Sequence, residues 1–111
     1  MSILLKKNKK IVFVVNASTK IGLGHLFRSI TIAKYFKSHK VFFLIKKKPL
    51  YYYKKLNANH DYKIYKNTQD LVESINKINA YIVINDKLDN SKYYMKQLIN
   101  NKNIVINIED N

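Results

Sequence analysis

Two glycines, a histidine and an arginine lie close together near the amino terminus. Residues 16–29 read NASTKIGLGHLFRS and contain both glycines of the chain, Gly22 and Gly24, with His25 directly after the second. Glycines tolerate positive φ and allow a ligand close to the backbone, so they predict a loop that leads His25 into the first turn of a helix. Amides at a helix start attract anions and disfavour an imidazolium ion. His25 is therefore predicted to be neutral and able to act as a general base.

Arg28 follows one helical turn after His25, where its guanidinium could hold a carboxylate or a phosphate. Each residue also has a structural interpretation. His25 could satisfy backbone groups at the helix start, and Arg28 could be an exposed surface residue. Ser18 and Thr19 could cap the loop. The sequence leaves these alternatives open.

The glycine pattern does not fit the common nucleotide-binding loops. A dinucleotide fingerprint needs a third glycine where this chain has Phe27, and it needs an acid at the end of the second strand, which is missing. The sequence Gly-x4-Gly-Lys-Ser/Thr is also absent. The three histidines are scattered, and no clustered acid pair accompanies them, so the sequence shows no metal-ligand spacing. We predict no metal and no cofactor, and we expect His39 and His60 to be exposed.

Five short apolar runs predict the strands that position these residues: 11–15, 41–45, 62–65, 81–84 and 104–108. The strong runs lack polar alternation, which is typical of strands buried on both faces of a parallel sheet. Three helical patterns separate the strands, each with an apolar stripe on one face. The first stripe is Leu26, Ile30, Ala33 and Phe36. The second is Leu71, Val72, Ile75 and Ile78, after an N-cap at Thr68, and the third is Tyr94, Met95, Leu98 and Ile99, after a start near Asn90. Pro49 could open a further short helix. The alternation predicts a doubly wound, mostly parallel, Rossmann-like α/β sheet.

Polar residues follow three of these strands and are predicted to meet at one rim. Ligands of such sheets bind beyond the carboxyl ends of the strands. The segment from Asn16 to His25 follows the first strand, Asn85 and Asp86 follow the fourth, and Glu109 and Asp110 follow the fifth. Glu109 and Asp110 are neighbours whose side chains point in opposite directions, so at most one of them faces the rim.

Composition limits the class of protein. A length of 111 residues fits one domain, and the absence of cysteine excludes disulfides and thiolate metal sites. The longest apolar runs have five residues, far below the ~20 that span a bilayer, and no secretory signal is present. We expect a soluble cytoplasmic protein. The net charge is +14, and residues 1–60 contain 14 Lys and Arg and no acid, which favours anionic partners.

The segment from Asn16 to Ala33 resembles the opening of the UDP-sugar hydrolase of pseudaminic acid biosynthesis and the related spore coat polysaccharide biosynthesis proteins. That family has Asp-Ala-Ser, then Ile-Gly-x-Gly-His, an arginine and Leu-Ala. The later stretches NDKLDNSKYYMKQL and NIVINIEDN resemble the same family in matching order. Asn16 stands where the family usually has Asp.

The resemblance implies a glycosyltransferase-B architecture of two Rossmann-like domains. Residues 1–111 would be the amino-terminal, sugar-side domain, without the nucleotide-binding carboxyl-terminal domain. His25 would activate water against the anomeric carbon of a UDP-linked amino sugar, without a metal. The substrate-binding residues would be Asn16, Ser18, Gly22, Gly24, Arg28, Asp86, Glu109 and Asp110.

Two other functions stay open at this point. The chain could be an inactive fragment or a partner subunit that docks on a separately encoded carboxyl-terminal domain. It could also bind nucleic acid non-specifically, since it combines a net charge of +14 with nine tyrosines. No RNA-recognition signature is present, and several tyrosines lie in predicted strands or on inner helix faces, so nucleic acid is the less favoured partner.

Overall fold

Strands and helices alternate along the chain as predicted. The computed structural model describes residues 9–16, 22–36, 39–46, 50–51, 53–54, 60–87 and 91–108, with the backbone alone described at residues 16, 22, 23, 25 and 87. The elements are β1 (Lys10–Asn16), α1 (Gly22–Ala33), β2 (Lys40–Ile45), β3 (Asp61–Ile64), α2 (Thr68–Ile78), β4 (Ile82–Lys87), α3 (Lys92–Asn100) and β5 (Ile104–Asn107). Leu50, Tyr51, Tyr53 and Lys54 are also helical, where a short helix was expected, and Pro49 lies outside the described residues.

The five strands form one parallel sheet in the order β3-β2-β1-β4-β5. This confirms the predicted parallel, doubly wound α/β fold of Rossmann-like type. β1 leads through α1 to β2 on one side, whereas β4, its other neighbour, leads through α3 to β5 on the opposite side. The chain thus changes direction between β1 and β4, and ligands of open α/β sheets bind at such a switch point.

The central strand β1 is buried on both faces, as its unbroken apolar run predicts. Every side chain from residue 11 to residue 15 is completely buried. Alternate residues pack toward α1, as Phe13 does, or toward α2 and α3, as Val14 does. Complete burial of one such side chain contributes about 1.5–3 kcal/mol, so this pentapeptide alone strongly favours a central position.

Helix α1 begins earlier than predicted and contains both glycines. Gly22 is its first residue and His25 its fourth, and neither glycine has a positive φ. The predicted glycine loop is therefore wrong for these residues, because they form the first helical turn itself. The inner stripe is confirmed: Leu26, Ile30 and Ala33 are buried, and Phe36 packs against them beyond the helix end.

The N-cap of α2 also differs from prediction, whereas the start of α3 is close to it. Asn67, not Thr68, caps α2, and its Oδ1 accepts a 2.8 Å hydrogen bond from the amide of Asp70. Asn67 has an extended backbone, and the amide side chain of asparagine caps a helix as effectively as a hydroxyl group does. Ser91 caps α3, so this helix begins at Lys92, close to the predicted start near Asn90, which itself lies outside the described residues.

Both edges of the sheet are more exposed than the sequence indicates. All four side chains of β3 are exposed. On β5, Ile104 and Ile106 are 42% and 45% exposed, which contradicts the prediction of a strand buried on both faces. Ile99 of α3, predicted to face inward, is 64% exposed. Apolar composition alone does not distinguish a central strand from an edge strand. Among the described helices, none is long and apolar enough to cross a membrane.

Candidate functional site

The candidate site lies at the carboxyl ends of β1 and β4, next to the switch point. β1 ends at Asn16 and β4 ends at Lys87, and these two residues are paired in the register of the sheet. α1 begins at Gly22, after the residues that follow β1. The amide groups of the first turn of α1 therefore lie at the ligand-binding edge of the sheet.

A buried carboxylate connects α1 to β4 at this edge. Asp86 is completely buried, and its Oδ1 accepts a 2.5 Å hydrogen bond from Arg28 Nη2. Its Oδ2 accepts from Arg28 Nε at 3.1 Å and from Ser29 Oγ at 2.9 Å. Two parallel bonds from a guanidinium to a carboxylate form the strongest common type of side-chain ion pair. The middle of α1 is thereby fixed on the end of β4.

The ion pair changes how Arg28 and Asp86 are interpreted. The resemblance implies that both contact substrate, but the buried Asp86 has its carboxylate enclosed by Arg28 and Ser29. In this arrangement Asp86 supports the helix, and its side chain is completely buried. The Arg28 side chain is 32% exposed, so part of it still reaches the edge. Direct substrate contact by either residue stays a prediction.

Gly24 leaves open space at the first turn of α1. Gly24 is exposed, and a Cβ added there would meet no atom within 4 Å. Packing therefore does not require glycine at this position. Residue 25 precedes Arg28 by three positions and Ser29 by four, so it shares their side of the helix.

The remaining predicted residues are placed as follows. Asn16 ends β1 and Gly22 begins α1. Ser18, Glu109 and Asp110 lie outside the described residues, so their predicted roles are untested. Among the described residues, no group of three or more His, Asp or Glu side chains could hold a metal ion.

Asn85, the neighbour of Asp86, faces the other side of the sheet. Its Oδ1 accepts a 2.6 Å hydrogen bond from the hydroxyl of Tyr94, and its Nδ2 donates to Asn107 Oδ1 at 2.9 Å. Burial raises the pKa of Tyr94 well above its usual value, so this hydroxyl stays neutral. The sequence groups Asn85 with Asp86 at one rim, and strand alternation separates them.

Ser29 is a site residue that sequence reasoning missed. It is completely buried, although it is polar, and it lies between Leu26 and Ile30 on the inner stripe of α1. A buried hydroxyl needs a hydrogen-bond partner, and here the partner is Asp86. A serine on an otherwise apolar helix stripe is the signal that could have predicted this.

The other two histidines lie outside this edge. His39 contacts Phe36, and within the described part of the chain its two buried ring nitrogens have no hydrogen-bond partner, which contradicts the expected exposure. His60 stacks on Phe43 at 5.7 Å between ring centroids and is half-buried. Burial lowers the pKa of His60, while the charge of Asp61 opposes this shift.

No protein family model, no curated protein and no solved structure matches this chain.

Proposed function

We propose that the chain is a nucleotide-sugar hydrolase or glycosyltransferase-like protein of surface polysaccharide or nonulosonic acid biosynthesis. Its substrate would be a UDP-linked amino sugar, and His25 would be the general base. The observation that carries the proposal is the position of α1. This helix starts beside the switch point of a parallel sheet and is held there by the bonds of Arg28 and Ser29 to Asp86. The Gly-x-Gly-His sequence in its first turn supports the same function.

In the proposed reaction, His25 takes a proton from water as the water oxygen attacks the anomeric carbon. A new C–O bond forms, and the bond between the anomeric carbon and the phosphate oxygen of UDP breaks. UDP leaves as an anion, for which the amide groups at the start of α1 provide a favourable environment. Arg28, Ser29 and Asp86 are positioning residues in this mechanism because they fix the helix that carries His25.

The test is UDP release from UDP-linked amino sugars, measured with the wild-type chain and with His25→Ala. Each is assayed alone and mixed with a separately produced nucleotide-binding domain. We expect His25→Ala to lower release at least 100-fold, which is typical for loss of a general base. Circular dichroism should stay unchanged. His60→Gln is the matched control and should retain activity. Undiminished release by His25→Ala would remove His25 from the mechanism.

The net charge of +14 favours a second candidate function, non-specific binding of nucleic acid. Such binding needs aromatic rings for bases to stack on. Tyr53, Tyr65 and Tyr94 are buried in the core, whereas Tyr35, Tyr51, Tyr62 and Tyr93 are exposed. Binding of single-stranded oligonucleotides at rising salt distinguishes the two, because purely electrostatic binding weakens steeply.

A further inference from the structure

A cavity of about 300 Å³ lies where β1, β4 and β5 begin, and it is called the amino-edge pocket here. Three segments line it: Lys9 and Lys10 at the start of β1, Asn79 to Tyr81 between α2 and β4, and Asn101 with Lys102 between α3 and β5. β1 has seven residues, so at about 3.3 Å per residue some 20 Å separate this pocket from the carboxyl ends of the strands. The pocket is therefore distinct from the candidate site at the first turn of α1.

Hydrogen bonds of the fold hold the walls of the amino-edge pocket together. The amide of Tyr81 donates to the carbonyl of Lys10 at 2.9 Å. The side-chain amide of Asn103 donates to the carbonyl of Ala80 at 2.7 Å, which places the neighbouring Lys102 beside the start of β4. The three segments are far apart in sequence, so the sheet itself brings their lysines to one place.

Three lysines give the pocket a positive charge. Lys9 and Lys102 are exposed, and Lys10 is half-buried. The Nζ atom of Lys9 lies 5.2 Å from the centroid of the Tyr81 ring, a cation–π contact that holds this ammonium group at the pocket wall. Among the described residues, none of the three lysines forms an ion pair with a carboxylate. The described part of the chain therefore supplies no counter-charge for them.

The acids of the chain are placed away from the pocket. The eight residues before Lys9 contain Lys6 and Lys7 and no acid. Of the seven acids, four stand in or after the carboxyl-terminal ends of β4 and β5: Asp86, Asp89, Glu109 and Asp110. Two precede the last turn of α2, and the seventh begins β3, which β2 separates from β1: Asp70, Glu73 and Asp61. The sequence that adjoins the pocket thus adds positive charge.

Two helix ends offset part of this charge. Asn79 is the C-cap of α2 and Asn101 is the C-cap of α3, so the carboxyl termini of both helices border the pocket. Each terminus carries about half of a negative elementary charge, so together they offset about one of the three lysine charges. An excess of about two positive charges remains. The lysines are therefore more than the helix ends require.

A phosphate group matches this excess of charge. A terminal phosphate carries about 1.5 to 2 negative charges at neutral pH and has three acceptor oxygens for ammonium donors. A cavity of about 300 Å³ accommodates it together with several waters, each of which occupies about 30 Å³ in the liquid. A carboxylate or a phosphodiester carries one negative charge and would leave part of the excess uncompensated.

We infer that the amino-edge pocket binds a doubly charged phosphate or diphosphate group through Lys9, Lys10 and Lys102. The group is either a free anion or the terminal phosphate of a lipid headgroup. This binding does not rest on the proposed hydrolase activity, because the first turn of α1 lies at the other edge of the sheet. His25→Ala should therefore leave phosphate binding unchanged.

The test titrates the isotope-labelled full chain with inorganic phosphate and with inorganic diphosphate, at constant physiological ionic strength, and follows amide chemical shifts. We expect shifts centred on residues 79–81 and 101–103, with diphosphate binding more tightly than phosphate. The double variant Lys9→Gln with Lys102→Gln should weaken diphosphate binding at least tenfold, because it removes two charged donors. Shifts centred on the first turn of α1 would overturn the inference.

A second double variant is the matched control for net charge. Lys66→Gln with Lys92→Gln removes the same two charges from exposed lysines at the other edge of the sheet and should leave diphosphate binding unchanged. Lys102→Arg keeps the charge and should retain binding. Equal weakening by the two double variants would show a general effect of charge and would overturn the inference.

Vesicles that contain phosphatidic acid distinguish the two sources of the phosphate group. Sedimentation of the chain with these vesicles, lost in Lys9→Gln with Lys102→Gln, would assign the pocket to a lipid headgroup. Binding of inorganic diphosphate without vesicle binding would assign it to a free anion. Absence of binding to phosphate, diphosphate and vesicles would overturn the inference.

Discussion

Asp86 and Asn85 are neighbours on β4, yet they organise opposite faces of the sheet in different ways. Toward α1, the Asp86 carboxylate is paired with the Arg28 guanidinium, which remains partly exposed. Toward α3, Asn85 joins Tyr94 and Asn107 through neutral hydrogen bonds. One face thus has a charged group that reaches solvent, and the other has an uncharged network.

The difference separates a structural role from a candidate functional role. On the α3 face, Asn85 directs both ends of its amide to partners within the fold and leaves little for a ligand to bind. On the α1 face, the ion pair lies behind a first turn with open space at Gly24. A charge that is buried in an ion pair is costly to place there and adds little net stability. Of the two faces, the α1 face is therefore the one on which the proposed function depends.

The largest expected effect is that of Arg28→Met. This change removes the guanidinium that donates two hydrogen bonds to the buried carboxylate of Asp86 and keeps the bond from Ser29 Oγ. Breaking a buried ion pair from one side typically costs 3–5 kcal/mol, and the partial exposure of Arg28 places the expected loss near the lower end, at about 3 kcal/mol of unfolding free energy. Urea denaturation followed by circular dichroism measures it.

Asp86→Asn is the matched control for that variant. Here the charge left behind is Arg28, which can turn toward water, so we expect a smaller loss of about 1–2 kcal/mol. The double variant Arg28→Met with Asp86→Asn should be more stable than Arg28→Met alone. If the double variant loses as much unfolding free energy as the two single variants lose together, the residues are not energetically coupled, and the α1 face is not held by the ion pair.

On the opposite face, Tyr94→Phe should cost less. The change removes the hydroxyl that donates to Asn85 Oδ1 and keeps the ring in place. A neutral hydrogen bond contributes about 1 kcal/mol net, so we expect a loss of that size in the same urea experiment. A loss as large as that of Arg28→Met would contradict the distinction between the charged and the neutral face.

Gly24→Ala should raise stability. Alanine is favoured over glycine inside a helix by about 0.5–1 kcal/mol, and the added methyl group meets no atom within 4 Å. If the first turn of α1 approaches a ligand closely, the same variant should lower UDP release. Thr31→Ala, an exposed change later in α1, is the control and should leave UDP release unchanged. Unchanged release by Gly24→Ala would show that the open space at Gly24 is not used.

Much of the fold could be predicted because its signals are local. The unbroken apolar run of β1 and the stripes of α1 and α2 depend on residues close in sequence. The N-cap of α2 was misplaced by one position because Asn67 and Thr68 are both good caps, and the choice depends on which backbone is extended.

The site could be predicted only in part. Arg28 and Asp86 are 58 residues apart, and nothing local indicates that they meet. Their contact follows from the strand order, which places β4 directly beside β1. The exposure of Ile104 and Ile106 has the same origin, since an apolar strand becomes an edge only through the arrangement of the other strands.

The smallest expected effect concerns pH and His60, at the far edge of the α1 face. Burial lowers the pKa of folded His60 below the ordinary value of 6.5. The unfolded chain therefore binds more protons than the folded chain as pH falls below about 6.5, and the free energy of unfolding decreases there. In His60→Gln the unfolding free energy should decrease less steeply as the pH falls, whereas in Tyr94→Phe the slope should be the same as in wild type. Urea unfolding between about pH 5 and pH 8 measures both slopes. An identical slope in wild type and His60→Gln would assign the acid sensitivity to other groups.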